Sequence, residues 1–262
     1  MILRSCPFLI QGYHMNLEDF FREHTKVAVA FSGGVDSSYL LYFAKLHAEK
    51  VCAYYAKSAF QPQFEYEDAV RLAKQVGAEM KTLHIDVLAD EKTASNPNNR
   101  CYYCKKTIFE TIKKQAADDG FTVLLDGTNA SDDAQDRPGM KALEELSVFS
   151  PLRMCGLTKS EIRRLSKEAG LFTWNKPAYA CLATRIPAGE RITEEKLRAT
   201  EMAENYLFSL GFSNFRVRKT GNSAKIQVPA DQLAQVLEKR EIIISELKKY
   251  YSGVLLDLEV RK

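Results

Sequence analysis

The sequence predicts an α/β protein: a doubly wound parallel sheet followed by a small C-terminal α+β domain. From Lys26 to about Leu171, short apolar stretches typical of strands alternate with amphipathic stretches typical of helices. Strand, helix and strand in succession imply parallel strands with right-handed crossovers, because a hairpin cannot join parallel neighbours. After about residue 192 the order changes to helix, hairpin, helix and strand.

The first part contains four predicted strands, in the stretches KVAVAF, KVCAYYA, EMKTLHID and FTVLLDG. Amphipathic spacing predicts helices over residues 37–48, 64–76 and 104–118. A fourth helix is predicted in GLTKSEIRRLSKEAGL, where Thr158 and Glu161 have the spacing of a capping box. Together these elements form the parallel sheet and its covering helices.

The second part is smaller. A helix is predicted over residues 193–209, ended by Gly211, and a GN turn joins the strands FRVRKT and AKIQVP. One or two helices over residues 230–249 and a strand in GVLLDLEV complete it. Residues 172–192 contain prolines and lack clear periodicity, and such stretches often line active sites. We expect an N-terminal extension over residues 1–15, an α/β domain over 16–175 and an α+β domain over 176–262.

Composition and charge narrow the function classes. The net charge of +3, from 37 basic and 34 acidic residues, does not indicate a nucleic-acid partner or an acidic membrane surface. No apolar run approaches the roughly 18 to 20 residues that cross a bilayer, and the first residues lack the pattern of a signal peptide. Six sparse cysteines favour a reducing compartment over a disulfide scaffold. We expect a cytoplasmic homo-oligomer without a membrane partner.

The stretch VAVAFSGGVDSS, residues 27–38, places two glycines between a predicted strand and a helix. Glycine allows positive φ angles and leaves no Cβ in the way, so consecutive N–H groups can point at an anion. The helix N-terminus adds about half a positive charge. A plain glycine-containing turn is the alternative, and the loop is neither a Walker A loop nor GxGxxG. Pyrophosphate would fit such a loop.

SGGVDS resembles the PP-loop of the ATP pyrophosphatases, the adenine nucleotide α-hydrolase-like superfamily, whose members adenylate an acceptor atom and release pyrophosphate. The resemblance implies that Asp36 assists Mg²⁺ and that the loop residues hold the phosphates of ATP: Ser32, Gly33, Gly34, Asp36, Ser37 and Ser38. Ser58 and Gly127 follow other predicted strands, at positions where an adenosine would bind. Arg137 is either a phosphate ligand or a solvated loop residue.

The cysteines raise a separate question. Cys101 and Cys104 form CYYC, which alone fits a redox pair, half of a metal site or core residues. Cys181 lies in the stretch between the domains, where a second substrate would enter. Three thiolates suit a [4Fe-4S] cluster with one iron open to a non-protein ligand. Zinc is an alternative, although the sequence has no second CxxC and no Cys/His pair at zinc spacing.

From about residue 16 to the C-terminus the sequence resembles the LarE family, ATP-dependent sulfur transferases that help make the nickel-pincer nucleotide cofactor of lactate racemase. The resemblance is carried by VAFSGGVDSS, LLDGTNASDDAQDRPGMKA, SPLRMCGLTKSEIRRLSKEAGL, WNKPAYACLATRIPAGERIT and AENYLFSLGFSNFRVR. It implies adenylation of the carboxylates of pyridinium-3,5-biscarboxylic acid mononucleotide and replacement of AMP by sulfur at both.

Members of this family supply sulfur in two ways. In some, one cysteine gives up its own sulfur and becomes dehydroalanine; in others, three cysteines hold a [4Fe-4S] cluster and the enzyme turns over. The sequence has the three-cysteine pattern, so we expect Cys101, Cys104 and Cys181 to be cluster ligands, with Cys181 and Asp36 carrying the chemistry. The sequence does not indicate the sulfide source.

Arg216 and Arg218 alternate on a predicted strand and therefore share one face. Two guanidinium groups on one face can bind a substrate phosphate, although a solvated edge strand explains the spacing equally well. The resemblance to the RVR strand of the family favours phosphate binding, with Glu204 organising the metal or phosphate site. Arg185, near Cys181, is a further candidate of the same kind.

Two other functions stay open. A tRNA thiolase shares the PP-loop and a three-cysteine cluster, but the sequence has no zinc-ribbon module and no strongly basic patch. A nucleotide-responsive binding protein would not need the intact Asp36 and loop serines. We expect a small pyridinium mononucleotide as substrate, with ATP, Mg²⁺ and a [4Fe-4S] cluster as cofactors.

Overall fold

The computed structural model describes residues 16–132 and 137–261, apart from the side chain of Arg137. The predicted N-terminal extension, residues 1–15, lies outside the described residues. The larger sheet is parallel, in the order β3-β2-β1-β4, with strands β1 Lys26–Ala30, β2 Lys50–Lys57, β3 Glu79–His84 and β4 Val123–Leu125. The predicted parallel sheet is confirmed.

Helices cover both faces of this sheet: α1 Leu17–Glu23, α2 Val35–His47, α3 Gln63–Val76, α4 Glu91–Ala94, α5 Arg100–Asp118, α6 Arg137–Glu145, α7 Pro151–Met154 and α8 Lys159–Glu168. Successive strand residues point to opposite faces. Val27 and Val29 accordingly pack in the cluster that includes α2, whereas Ala28 packs with Ile112 of α5. The doubly wound arrangement is therefore confirmed.

Two local predictions have different outcomes. Helix α8 is capped by Thr158, whose hydroxyl accepts from the Glu161 N–H while the Glu161 carboxylate accepts from the Thr158 N–H, as the capping box predicts. The start predicted at residue 104 is wrong, because α5 begins at Arg100. A backbone bond from the Arg100 N–H to the Pro97 carbonyl begins the helical turn earlier. Both cysteines of CYYC consequently lie at the start of α5.

The smaller sheet has the order β5-β6-β7, with strands β5 Arg216–Thr220, β6 Ser223–Gln227 and β7 Gly253–Leu256. Strands β5 and β6 form the predicted antiparallel hairpin, and β7 adds parallel to β6. Three helices accompany the sheet: α9 Glu194–Ser209, α10 Leu233–Glu238 and α11 Arg240–Leu247. Gly211, with a φ of 88°, ends α9 as predicted.

The stretch between the sheets contains two short 3₁₀ turns, Phe172–Asn175 and Leu182–Arg185. Leu182 and Ala183 pack with Phe60, which follows β2, and with Ile85, which follows β3. This stretch therefore lies against the carboxyl edge of the larger sheet. None of the helices in the described ranges is long and apolar enough to cross a membrane.

Candidate active site

The loop between β1 and α2 is organised by its own side chains. The Ser32 and Ser37 hydroxyls are 3.0 Å apart, and the Ser37 hydroxyl donates to the Gly34 carbonyl at 3.2 Å. Gly33 has a φ of +73°, and a Cβ there would lie 3.0 Å from the Ala69 Cβ of α3. Glycine is thus required by both backbone angle and space. The α2 N-cap, Gly34, makes no side-chain capping bond, so the first N–H groups of α2 remain available to an anion.

Gly127, which follows β4, lies against this loop. A Cβ at Gly127 would lie 2.8 Å from the Ser37 backbone nitrogen, closer than real Cβ contacts. The preceding Asp126 is buried and accepts hydrogen bonds from the Ser150 and Thr128 hydroxyls. The structure therefore brings Gly127, predicted from the sequence as an adenosine contact, to the phosphate loop.

Asp36, in the first turn of α2, is paired with Lys159. The Lys159 Nζ lies 2.5 Å from Asp36 Oδ2, while Asp36 Oδ1 is buried without a hydrogen-bond partner among the described residues. Burial raises the pKa of Asp36, and the hydrogen bond from Lys159 partly opposes the rise. Sequence reasoning missed Lys159. The signal that could have identified it is its place as the first residue of α8, because a cation at a helix N-terminus is disfavoured by the helix dipole.

Two predicted ATP ligands, Ser58 and Ser38, are buried side chains. The Ser58 hydroxyl donates to Gln61 Oε1 at 2.6 Å and accepts from the Phe60 N–H, so it holds the turn after β2. Ser38 is fully buried in α2, and its hydroxyl has no partner in the described part of the chain. Arg137 begins α6, but its side chain lies outside the described residues. The nucleotide roles of these three residues stay predictions.

A cavity of about 410 Å³ opens beside the loop, within the size range of small-molecule sites. Ser32, Gly34 and Asp36 line one side. Ile108 and other apolar side chains of α5 line another, and Cys181 lines the same cavity. The phosphate loop and Cys181 therefore line the same cavity, although Asp36 and Cys181 are 145 residues apart in the chain.

Cys181 ends a segment that we call the cysteine strap, residues 176–181. At its start, the Lys176 Nζ lies 3.0 Å from Glu65 Oε2 and 2.7 Å from Asp68 Oδ2, both in α3, and 3.5 Å from the Gly33 carbonyl. Arg163 of α8 donates to the Lys176 carbonyl at 2.8 Å. The strap is thus tied at its first residue to the helices next to the phosphate loop.

Arginines hold the rest of the strap through its backbone. Arg216 donates to the Ala178 carbonyl at 2.6 Å, and Arg185 donates to the Ala180 carbonyl at 3.0 Å. Arg218 donates to the Thr184 carbonyl at 2.7 Å, just after the strap. The predicted substrate arginines are therefore gathered around the segment that carries Cys181.

Arg185 and Glu204 form a buried ion pair. The Arg185 Nε lies 2.8 Å from Glu204 Oε1, and the two side chains are 0% and 1% exposed. Glu204 also accepts from the Val217 N–H at 2.9 Å and from the Tyr179 hydroxyl. With its carboxylate surrounded by these donors, Glu204 joins α9 to β5 and to the strap. This placement favours a supporting role over direct substrate contact for both residues.

The hydrogen bonds that Arg216 and Arg218 make among the described residues go to backbone and amide oxygens and to no carboxylate. Burial, and then repulsion from Arg185 and Arg261, lowers the pKa of Arg216 to about 10. The same causes lower the pKa of Arg218. Buried cations that repel one another are stabilised by an anion, which is typical of phosphate sites. Their substrate role stays a prediction.

The three predicted cluster cysteines are neighbours. Cys101 and Cys104 lie at the start of α5, and Cys181 precedes the 3₁₀ turn that follows the strap. Burial, and then repulsion from Cys181, raises the pKa of Cys104 to about 12, while burial, opposed in part by Arg100, raises the pKa of Cys181. In residues 16–132 and 137–261, no group of three or more His, Cys, Asp or Glu side chains is arranged to hold a single metal ion. All three thiols are free.

Known proteins are similar to this chain over different shares of its length. An asparagine synthase family profile matches residues 18–130. An uncharacterised protein of Synechocystis sp. is 36% identical over 93% of this chain and 92% of its own length. A pyridinium-3,5-bisthiocarboxylic acid mononucleotide synthase of Lactiplantibacillus plantarum is 34% identical over 89% of this chain and 86% of its own length. A tRNA-specific 2-thiouridylase of Clostridium botulinum is 30% identical over 57% of this chain and 52% of its own length.

Proposed function

Because the chain belongs to the LarE family of pyridinium-3,5-bisthiocarboxylic acid mononucleotide synthases, we propose that it is an ATP-dependent sulfurtransferase acting on a pyridinium mononucleotide. A substrate carboxylate oxygen attacks the α-phosphorus of ATP, and pyrophosphate leaves. A sulfur nucleophile then attacks the activated carbonyl carbon, and AMP leaves with the bonding electron pair. The product is a thiocarboxylate.

The observation that carries this proposal is the shared cavity. Adenylation needs a phosphate loop, and sulfur transfer needs a sulfur site close enough to reach the same carbonyl carbon. Ser32 and Asp36 line the same cavity of about 410 Å³ as Cys181. Both half-reactions can therefore take place without the adenylate leaving the protein.

The phosphate loop would bind ATP through backbone N–H groups and the start of α2. Asp36 Oδ1, buried and unpartnered in the described part of the chain, fits a ligand for Mg²⁺, which would neutralise charge on the leaving pyrophosphate. Lys159, 2.5 Å from Asp36 Oδ2, would place a positive charge beside the phosphates of ATP. Arg216 and Arg218 would bind the phosphate of the mononucleotide substrate.

The cysteine set supports a [4Fe-4S] cluster held by Cys101, Cys104 and Cys181. Three free thiols with mutual electrostatic interactions are the right donors, and one of them, Cys181, lines the cavity. A cubane takes its protein ligands on different irons, so it does not need the close convergence that one zinc ion requires. When bound, the cluster would supply an open iron that carries the transferred sulfide. Cys181 acting as its own sulfur donor is the competing mechanism.

A tRNA acceptor is the second candidate function. It is favoured by the similarity to thiouridylases, but this chain spans about half of the Clostridium botulinum relative. The synthase relative matches over 86% of its length, so we favour the small acceptor. The proposal includes a domain boundary between residues 175 and 176, and the smaller domain would supply the substrate arginines.

The test separates the two half-reactions. Anaerobically reconstituted protein is incubated with ATP, Mg²⁺ and pyridinium-3,5-biscarboxylic acid mononucleotide, and pyrophosphate and thiocarboxylate are measured. We expect both products from the unchanged chain and pyrophosphate alone from Cys181→Ala. Cys155→Ala, a thiol that does not line this cavity, serves as the matched control and should match the unchanged chain. Absence of pyrophosphate from the unchanged chain would contradict the proposed activity.

A further inference from the structure

Arg100 is a buried cation whose polar contacts, in the described parts of the chain, include no carboxylate. The residue is 8% exposed and is the first of α5, where the helix dipole disfavours positive charge. Its guanidinium donates to Asn96 Oδ1 at 2.9 Å and to the Ala183 carbonyl at 3.1 Å. A buried charge without a counter-charge destabilises the folded protein, so negative charge near Arg100 would stabilise it.

Among the described residues, the acidic groups that face Arg100 are thiols. Its NH2 group lies 3.6 Å from the Cys101 Sγ and is oriented to donate to it. The charge of Arg100 also acts on Cys104 and on Cys181, where it opposes the effect of burial. One guanidinium is thus within electrostatic reach of all three cysteines.

Asn96 fixes the position of this guanidinium. It is 2% exposed and has a φ of 57°, and its side-chain amide donates to the Pro187 carbonyl at 2.8 Å. Its backbone carbonyl accepts from the Gly189 N–H at 2.8 Å. Asn96 and Arg100 therefore tie the start of α5 to the chain that follows Cys181, and they hold the charge in one place among the thiols.

We propose that Arg100 is the counter-ion of the iron–sulfur cluster and that it sets the reduction potential of the cluster. This inference rests on the proposed function, because it requires the cluster. A [4Fe-4S]²⁺ core held by three thiolates carries net negative charge, and reduction adds one electron to it. A fixed cation beside the thiolates stabilises the reduced form more than the oxidised form, and an N–H donor to a cysteine sulfur acts in the same direction. Arg100 is a positioning residue for the cluster and does not touch the substrate.

A purely structural role would be different. If Arg100 served only to tie α5 to the neighbouring chain, its loss would reduce iron content or stability and would leave the potential of any bound cluster unchanged. The potential is therefore the measurement that separates the two roles.

The experiment compares the unchanged chain with Arg100→Met and Arg100→Lys, each reconstituted anaerobically with ferrous iron and sulfide. Iron per chain is measured, and the midpoint potential is obtained from a dithionite titration followed by electron paramagnetic resonance. We expect Arg100→Met to shift the midpoint to more negative potential and Arg100→Lys, which keeps the charge, to shift it less. Arg191→Met, which removes an exposed arginine paired with Glu91, is the control and should leave the potential unchanged.

Asn96→Asp keeps the test decisive if Arg100→Met does not fold. The new carboxylate would lie at the position now 2.9 Å from the guanidinium and would neutralise it in place, so the potential should again become more negative. An unchanged potential in Arg100→Met or Asn96→Asp, or equal shifts in Arg100→Met and Arg100→Lys, would overturn the role of Arg100 while leaving the cluster intact. An unchanged chain that takes up no iron would overturn the cluster and this role together.

Discussion

The phosphate loop and the cysteine strap face the same cavity but are built in different ways. In the loop, Ser32, Gly34 and Ser37 bond one another within six residues of chain. In the strap, the Ala178 carbonyl is held by Arg216, 38 residues away. The loop is therefore a local structure, whereas the position of the strap depends on distant parts of the chain.

This difference predicts which substitutions affect ATP chemistry and which affect folding. Loop side chains face the cavity, so their replacement should affect ATP chemistry more than folding. The groups that hold the strap are buried and bond to backbone, so their replacement should first affect folding and the position of Cys181. Four predictions test this contrast, and they are ordered by the size of the expected change in the free energy of unfolding or of activation.

The largest effect is expected for Glu204→Gln. Removing the carboxylate leaves the Arg185 guanidinium buried without its counter-charge, and breaking such a pair costs about 3–5 kcal/mol. Denaturant unfolding should show this loss in the free energy of unfolding. Glu195→Gln, an exposed change on the same helix, should be close to neutral. Equal stability of the two variants would contradict the structural role of the pair.

Asp36→Asn is expected to leave stability nearly unchanged and to slow pyrophosphate release about 10²- to 10³-fold, the usual cost of losing one electrostatic contact in a reaction centre. The physical reason is the loss of the proposed Mg²⁺ ligand beside the phosphate loop. Pyrophosphate release and thermal unfolding are measured on the same preparation. A fall in stability as large as that of Glu204→Gln would break the contrast between the two regions.

Gly127→Ala tests how closely the second loop approaches the first. The added Cβ would lie 2.8 Å from the Ser37 nitrogen and must displace the phosphate loop, at a cost of about 1–3 kcal/mol. We expect a raised KM for ATP. Gly221→Ala, in the β5–β6 turn with no atom within 4 Å of its new Cβ, should strain the backbone without changing that KM. Equal KM values in the two variants would show that the close approach does not matter.

The smallest effect is expected for the helix caps. Thr158→Ala removes the α8 capping box, and Thr193→Ala removes the hydroxyl that accepts from the Lys196 N–H at the start of α9. Each should cost about 1 kcal/mol in the free energy of unfolding. Because α8 begins with Lys159, only Thr158→Ala should also slow pyrophosphate release. Slower release in Thr193→Ala would show that the two regions are coupled more tightly than their contacts indicate.

The candidate site was predictable in part. SGGVDS identifies the loop because its glycines and serines interact within a single turn. CYYC together with Cys181 identifies three candidate cluster ligands. Lys159 and Arg100 were missed because a basic residue in a helical stretch looks like any surface cation. Only the helix starts reveal that both oppose the dipole, and the start of α5 was itself misplaced by four residues.

The sequence by itself determined the order of strands and helices, the parallel sheet, the α8 cap and the phosphate loop, because these depend on patterns that repeat within a few residues. Tertiary structure alone decided that Lys159 meets Asp36, that Arg216 holds the strap, and that Arg185 and Glu204 are buried together. These contacts join residues far apart in the chain, and their strength comes from burial, which no local pattern specifies.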